Sequence, residues 1–411
     1  MKKFIALVLA AMLCLAACSA LAADLKVGVI LVGDETEGYT LSHMNGIKDA
    51  AANLGLSESD IVWKYKIPED QSCYDAALDL VGQGCNVIIS NSYGHQTYMV
   101  LAAEEFPDVT FVSMTGDFAA LTGLDNFHNA FTKIYEARFV SGVVAGMKVA
   151  ELVETGVLTP EKQPNSFDEN GNIKIGYVGA FDYAEVVSGY TAFFLGVRSV
   201  VPNVVMEVNY TNSWFDIDKE AAAAEALIAK GCVIIGQHAD STGAPAATQK
   251  LQDTGVVCYS VGYNIDMIPT APTAALTSPT NVWSVYYTEL FTAVMNGDEI
   301  AADWAKGYAS DAVKITDLGV SCAPGTADKV AEVEAAIKNG ELNVFDTASF
   351  TVGGAAVTSA PCDMTFMDWS TMTAIYEGET YEAIVDGAFA ESDFRSAPYF
   401  ALRIDGITEI K

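Results

Sequence analysis

The chain has 411 residues and carries 53 acidic against 22 basic side chains, a formal net charge of −31. Such an acidic surface repels nucleic acid and anionic lipid headgroups, which excludes both as expected partners and leaves solubility as the simplest reason for the charge. The length exceeds that of one ordinary domain, so we expect two lobes.

The first residues have the pattern of an export signal. Two lysines precede an apolar run over residues 4–17, which is too short to span a bilayer and is typical of a signal peptide. The run ends in LAAC, which resembles the lipobox of bacterial lipoproteins, so we expect residues 1–17 to be removed and Cys18 to be lipidated. An ordinary signal peptide cut after Ala23 is the alternative.

From Leu25 onward, short apolar strands alternate with helical segments. In the first half, strands are predicted at Leu25–Gly33, Val87–Ser90 and Val109–Met114, and helices at Tyr39–Leu54, Thr97–Phe106 and Tyr135–Leu152. After a polar loop the alternation restarts, with strands at Ile173–Gly179, Val204–Tyr210 and Cys232–Gln237, and helices at Ala184–Val200, Asp218–Gly231 and after Gly243. Strands separated by helices indicate parallel α/β sheets.

The two halves also repeat one another. Ala77–Ser92 and Ala224–Ala239 both run from a helix through Gly-Cys and an apolar strand into a polar loop. We therefore predict an α/β fold with two doubly wound parallel-sheet lobes that close on a ligand like a clamshell. Lobe 1 is expected to comprise 24–132 plus 261–285, lobe 2 to comprise 133–260 plus 286–316, and a C-terminal extension to comprise 317–411, with hinges near Thr132, Ser260 and Tyr286.

Candidate ligand-binding residues lie in the loops after the strands, because ligands of parallel sheets bind beyond the carboxyl ends of the strands. The candidates are Tyr39, Ser92, Tyr93, Trp214, Phe215, Asp240, Tyr263, Asp266 and Trp283. Aromatic rings stack on planar ligands, and a carboxylate accepts hydrogen bonds from ring N–H or amino groups. This combination favours a flat, nitrogen-rich small molecule.

Several candidates have a structural alternative. Asp240 could cap the following helix, where Ser241 would serve equally well. Trp283 could be a core residue. The sequence does not decide whether Trp214 or Phe215 turns its ring to the ligand.

The stretch GQHADSTGAP places His238, Asp240 and Ser241 within four residues. A Ser-His-Asp relay needs the imidazole between the other two groups, so these residues are too close along the chain to form one, and His238 is better explained by packing or pairing. The sequence also lacks a GxSxG elbow and a P-loop. We therefore expect a binding protein rather than an enzyme, with a nucleoside-processing enzyme that uses paired carboxylates as the alternative.

Neither a metal nor a cofactor is expected, because no CxxC occurs and the four histidines lie far apart. Cys322 and Cys362 are the best candidates for a disulfide.

Seven segments together resemble the basic membrane lipoprotein family of ABC-transporter substrate-binding proteins. They are GYTLSHMNG, FTKIYEARFVSGVVAG, IGYVGAFDYAEVVSGYTAFFLGVRSVVPNV, SWFDIDKEAAAAEALIAKG, QHADSTGAP, VGYNIDM and LTSPTNVWSVYY. The resemblance runs from about Lys26 to Lys314 and implies a type I periplasmic-binding fold. It also implies an extracytoplasmic lipoprotein that passes a purine to the permease of an importer.

The resemblance further implies roles for single positions. Tyr39 would stack on the base, Trp214 and Phe215 would form the opposite wall, and Asp240 would accept from the base. Tyr263 and Trp283 would lie around the cleft.

The branch of the family that binds nucleosides differs from this chain in the groups that hold the ribose. That branch has an aspartate at the position of Thr115, a lysine at the position of Asn281, and Phe-Asn-Asp where this chain has Tyr-Thr-Leu at residues 39–41. The resemblance therefore implies a free, adenine-like base, with a purine nucleoside or another flat heterocycle as the alternative.

Overall fold

The computed structural model describes residues 25–368 and 371–410. The predicted signal peptide and Cys18 lie outside these residues. Two parallel sheets of six strands form two lobes. The first sheet contains β1 (Val27–Ile30), β2 (Ile61–Lys64), β3 (Val87–Ser90), β4 (Thr110–Met114), β5 (Phe127–Thr132) and β12 (Asp303–Lys306), in the order β12-β5-β4-β3-β1-β2.

The second sheet repeats this arrangement. It contains β6 (Ile173–Gly179), β7 (Val204–Tyr210), β8 (Ile234–Gln237), β9 (Tyr259–Val261), β10 (Ala275–Thr277) and β22 (Ile407–Ile410), in the order β10-β9-β8-β6-β7-β22. The first five strands of each half therefore have the same order, β5-β4-β3-β1-β2 in one and β10-β9-β8-β6-β7 in the other. The predicted α/β fold with two repeated lobes is confirmed.

Helices cover both faces of the sheets, which explains why strands such as β1 and β3 are apolar and buried along their whole length. The helices are α1 (Gly38–Leu54), α2 (Gln71–Gly82), α3 (Gln96–Glu105), α4 (Ala119–Thr122), α5 (Ile134–Glu154), α6 (Ala184–Val200), α7 (Ile217–Ala229), α8 (Gly243–Asp253), α9 (Trp283–Asn296) and α10 (Thr326–Lys338). In the part of the chain that the structure describes, no helix has the length and apolar character needed to cross a membrane.

The chain crosses between the lobes at places that differ in part from the expected ones. It leaves the first sheet after Thr132, as expected. Ser260, however, lies inside β9, and β9 and β10 both belong to the second sheet, although residues 261–285 were expected in lobe 1. Because no helix separates β9 from β10, the strand–helix alternation gave no signal there.

The later crossings between the lobes also lie at other residues than expected, again because the sequence carries little periodic signal there. Tyr286 lies within α9, and α9 packs on α1 of the first lobe. β12 joins the edge of the first sheet beside β5, whereas residues 286–316 were expected in lobe 2. Its sequence, DWAK, mixes charged and apolar residues and so lacks the pattern of a buried strand. Between the lobes, β11 (Pro279–Asn281) pairs antiparallel with β13 (Val313–Ile315).

The C-terminal extension consists mainly of short hairpins. Its strands are β14 (Thr351–Val352), β15 (Ala355–Ala356), β16 (Pro361–Asp363), β17 (Phe366–Asp368), β18 (Thr373–Tyr376), β19 (Thr380–Glu382), β20 (Ile384–Val385) and β21 (Ala388–Phe389). Apolar residues such as Phe350 and Phe400 belong to the main hydrophobic cluster of the lobes. The extension therefore packs on the lobes, and its last strand, β22, completes the second sheet.

Candidate functional site

The loops at the carboxyl ends of the two sheets meet in a closed cleft. Gly38 begins α1 in the first lobe, and its backbone N–H donates to the carbonyl oxygen of Asp240 in the second lobe at 3.3 Å. A Cβ at position 38 would lie 3.2 Å from that oxygen, so glycine permits the close approach. The rings of Tyr93 and Tyr183, also from different lobes, have centroids 6.3 Å apart.

Asp240 lies at the centre of this contact. Its side chain is buried, and its Oδ1 accepts a hydrogen bond from the Asn264 amide at 2.7 Å. Its backbone N–H donates to the carbonyl of Trp214 at 2.8 Å. The helix after it is served by Ser241, whose hydroxyl accepts from the N–H of Gly243 at 3.1 Å. Asp240 therefore does not cap that helix.

The surroundings of Asp240 are acidic. Burial raises the pKa of its carboxyl well above the usual range, and the negative charges of Glu37, Glu220 and Glu185 raise it further. The Asn264 amide acts in the opposite direction. Burial and the neighbouring charges therefore disfavour the ionised form of Asp240 unless further hydrogen-bond donors reach it.

Tyr39 faces Asp240 from the first lobe. It lies in the first turn of α1, where its hydroxyl donates to the carbonyl of Asn91 at 2.7 Å. Its ring packs edge to face on His43, with centroids 4.5 Å apart. Burial raises the pKa of Tyr39 well above its usual value, and the nearby Tyr287, Tyr263 and Asp240 add to that rise. Tyr39 therefore lies beside residues of the opposite lobe, as a cleft-lining ring must.

Two residues beside the cleft have left-handed backbone conformations. Thr115, at the end of β4, has φ 62°, and Asn264, after β9, has φ 63°. Asparagine tolerates this left-handed region, but a β-branched threonine adopts it at a cost of about 1–3 kcal/mol. The Thr115 hydroxyl also lies close enough to Tyr39 to influence the pKa of the tyrosine. Strain of this kind occurs where the surrounding structure fixes the geometry of a site.

The second lobe contributes a group of aromatic rings. Trp214 packs edge to face on Phe181, with centroids 5.0 Å apart, and lies 6.0 Å from Tyr183 and 6.5 Å from His238. Among the ring contacts of the described residues, Phe215 takes part in none. Trp214 therefore belongs to this aromatic group of the second lobe, whereas the described ring contacts do not include Phe215 in it.

Arg138, in α5, is a buried cation of the second lobe that the sequence analysis missed. Its guanidinium lies 3.8 Å from the ring centroid of Tyr263, and its Nη1 donates to the Tyr177 hydroxyl at 2.5 Å and to the Gln237 carbonyl at 3.0 Å. The side chain is fully buried. The available signal was an arginine beside the long apolar run of this helix, since a buried cation is rare unless it is paired.

His238 pairs with Glu185, another residue that the sequence analysis missed. Its Nε2 lies 2.7 Å from Oε1 of Glu185. Burial lowers the pKa of His238 and the neighbouring Arg138 lowers it further, while the contact with Glu185 acts in the opposite direction. The expectation that His238 is a pairing residue is confirmed. Its ring also lies beside Tyr263, with centroids 5.2 Å apart.

Three other candidates form hydrogen bonds or ring contacts with nearby protein residues. The Ser92 hydroxyl donates to Glu69 at 2.6 Å. Asp266 is exposed and accepts from the N–H of Ile268 at 2.9 Å, as a turn residue does. Trp283 is fully buried and stacks on His43 at 4.2 Å, so it packs in the core between α1 and α9. The remaining candidate, Tyr93, lies at the rim and donates to Asp117 at 3.1 Å.

Within residues 25–368 and 371–410, no group of three or more histidine, cysteine or acidic side chains could hold a metal ion. The six cysteines in these ranges are free thiols. Cys322 and Cys362, the disulfide candidates, contact the carbonyls of Leu276 at 3.3 Å and Ala360 at 3.6 Å instead.

Comparison with known proteins gives one family. The family model described as ABC transporter substrate-binding protein PnrA-like (Bmp) matches residues 25–347. A purine-binding protein of Brucella abortus is 33% identical over 323 residues, which cover 78% of this chain and 83% of that protein. A putative ABC transporter glucose-binding protein of Haloferax volcanii is 31% identical over 295 residues, which cover 72% of this chain and 66% of that protein.

Solved structures share the fold. An ABC transporter solute-binding protein from Aeropyrum pernix superimposes with a TM-score of 0.61 at 16% identity, over 78% of this chain and 93% of that one. A second solute-binding protein, from Conexibacter woesei, gives a TM-score of 0.59 at 17% identity, over 78% of this chain and 98% of that one. The architecture is that of type I periplasmic solute-binding proteins.

Proposed function

Because the chain belongs to the PnrA-like family of ABC transporter substrate-binding proteins, we propose that its cleft captures a purine base and delivers it to the permease. The family membership makes the protein an extracytoplasmic solute-binding protein and not an enzyme. The proposal adds the ligand, an adenine-like base held between Tyr39 and the second lobe.

The buried carboxylate of Asp240 carries the proposal. Among the described residues, the Asn264 amide is the one side-chain donor seen on it, while three acidic side chains raise its pKa. A purine offers ring N–H and amino donors at one edge and two flat faces for aromatic rings. Tyr39 and Trp214 supply such rings from opposite lobes, so one planar molecule would satisfy both the rings and the carboxylate. The Brucella relative, whose name specifies purine binding, supports this ligand class.

A free base fits the cleft better than a nucleoside. The Asn281 side chain, which stands where the nucleoside-binding branch has a lysine, is buried and bonded to Asn264 at 3.1 Å. Thr115 stands where that branch has an aspartate. A ribose would therefore lack both charged partners.

Calorimetric titration of refolded, ligand-free protein tests the proposal. The panel comprises adenine, hypoxanthine, guanine, adenosine and, because of the Haloferax relative, D-glucose. We expect saturable binding of at least one free base, with adenosine bound more weakly than adenine. Binding of glucose alone would replace the purine by a sugar, and tighter binding of adenosine would reverse the order of base and nucleoside.

We also propose that Cys18 carries a lipid anchor, on the basis of the LAAC motif in the sequence. Cys18→Ala should release the protein from the membrane fraction when the cells are fractionated. Unchanged membrane association of the variant would contradict the anchor.

A further inference from the structure

A chain of side-chain hydrogen bonds connects Asp240 to the hinge. The Asn264 amide donates to Oδ1 of Asp240 at 2.7 Å, and the Asn281 amide donates to Oδ1 of Asn264 at 3.1 Å. The Thr132 hydroxyl donates in turn to Oδ1 of Asn281. All four side chains are buried, with exposures of 0% for Thr132 and 6% for Asp240. We call these three bonds the amide relay.

Thr132 and Asn281, the two members of the relay farthest from Asp240, lie where the chain passes between the lobes. Thr132 is the last residue of β5 in the first sheet, and Asn281 is the last residue of β11, which follows the second sheet. β11 pairs with β13 on the return path, with Asn281 opposite Val313. The relay therefore runs from the hinge segments to the cleft.

The Asn264 loop is held against the same hinge strand by backbone bonds. The N–H of Asn264 donates to the carbonyl of Pro279 at 3.0 Å, and its own carbonyl accepts from the Thr280 hydroxyl at 2.5 Å. These bonds fix the left-handed backbone of Asn264, with φ 63°, and so fix the direction of its side chain.

The three bonds of the relay all run in one direction, towards Asp240. Because Oδ1 of Asp240 accepts, Asn264 turns its NH₂ group to Asp240 and its oxygen to Asn281. Asn281 must then donate to Asn264 and accept from Thr132. An amide suits both middle positions because it carries a donor at one end and an acceptor at the other.

We propose that Asn264 and Asn281 are positioning residues, which orient the Asp240 carboxylate from the hinge so that it meets the ligand in the closed cleft. This inference rests on the proposed function, because it assigns the ligand contact to Asp240. Through the relay, the hydroxyl of Thr132, where the chain leaves the first sheet, would influence the position of the Asp240 carboxylate.

A double-mutant cycle tests the relay. Thr132→Val removes the terminal donor but keeps the shape, and Thr132→Ser keeps the hydroxyl. In calorimetric titration with adenine, Thr132→Val should lower the affinity by roughly three- to tenfold, the loss of one neutral hydrogen bond. Thr132→Ser should restore most of the affinity. In an Asp240→Ala background, Thr132→Val should cause no further loss, because the relay acts through Asp240.

Two results would overturn the relay: an undiminished affinity in Thr132→Val, or an equal loss from Thr132→Val with and without Asp240. If the parent protein binds no purine, the proposed function fails, and the same cycle is then measured by thermal unfolding without ligand. The relay predicts that the losses of Tm in Thr132→Val and Asp240→Ala are less than additive. If the two losses of Tm are additive, the relay is contradicted, whichever ligand the protein binds.

Discussion

The part of the chain that matches the family, residues 25–347, and the C-terminal segment that follows it are built in different ways. The first part repeats one α/β arrangement in two sheets, and its core comes from strands and helices with regular apolar patterns. The second consists of short hairpins that are joined to the lobes at separate points. Arg395 reaches Asp117 of the first lobe at 3.5 Å, and Glu391 accepts from Ser188 of the second.

This difference separates two tasks. The cleft and its chemistry lie in the family-matched part, because Tyr39, Trp214 and Asp240 all belong to it. The C-terminal segment connects the lobes. The ring centroid of Phe366 lies 4.4 Å from that of Phe118 in the first lobe, while β22 extends the second sheet. Changes in the first part should therefore alter affinity, and changes in the second should alter stability.

The largest effect is expected at Asp240. Asp240→Asn keeps the shape but exchanges one acceptor for a donor, so the affinity for a purine should fall about ten- to a hundredfold, with little change in Tm. His238→Gln serves as a control on the same strand end and should have a much smaller effect, since His238 pairs with Glu185. Calorimetric titration measures both. If Asp240→Asn binds every purine as tightly as the parent, Asp240 has no role in recognition.

Tyr39 should have the next largest effect. Tyr39→Ala removes the stacking ring and should weaken binding by roughly five- to a hundredfold, because stacking of a base on an aromatic ring contributes about 1–3 kcal/mol. Tyr39→Phe keeps the ring and loses only the hydroxyl, which donates to Asn91, so it should retain most of the affinity. A loss as large in Tyr39→Phe as in Tyr39→Ala, in the same titration, would show that the hydroxyl and not the ring matters.

Arg395→Ala tests whether the C-terminal segment contributes to stability rather than to affinity. Asp117 is only 11% exposed, and removal of its partner leaves a buried carboxyl. We expect a loss of about 5 °C in Tm with at most a small change in affinity. Lys329→Ala, which breaks an exposed pair with Glu332 in α10, should leave the Tm nearly unchanged. Equal Tm values for the two variants would contradict the role of Arg395 as a tie.

The smallest effect concerns pH. Burial raises the pKa of Glu391 to about 7, against 4.5 for a free glutamate. The protonated form of Glu391 therefore stabilises the fold below pH 4.5, and this contribution is lost as the pH rises through about 7. Relative to the parent, Glu391→Gln should gain roughly 2–5 °C in Tm between pH 5 and pH 8, by differential scanning calorimetry. The exposed control Glu332→Gln should show no such gain in Tm. If Glu391→Gln shows no gain either, the raised pKa of Glu391 is refuted.

The sequence predicted the repeated part of the fold well and the crossings between lobes poorly. β6 and α6 were predicted to the residue, because both elements are long and mostly buried and so have extended apolar patterns. β10 and β12 were placed in the wrong lobes, since three- and four-residue strands at sheet edges carry little periodic signal.

The candidate site was predicted in part for a similar reason. Loop aromatics and Asp240 follow recognisable strands, so their meeting could be anticipated. Arg138 and Asn264 act through partners far away in the sequence, Tyr263 for one and Asn281 for the other. Local patterns do not reveal such pairs.

A crystal structure of the refolded protein with adenine tests the central claim most directly. We predict the base between Tyr39 and Trp214, with a ring N–H or the amino group about 3 Å from the free oxygen of Asp240 and with Asn264 still bonded to the other oxygen. A base bound outside the cleft, or a base in the cleft that makes no contact with Asp240, would contradict the account.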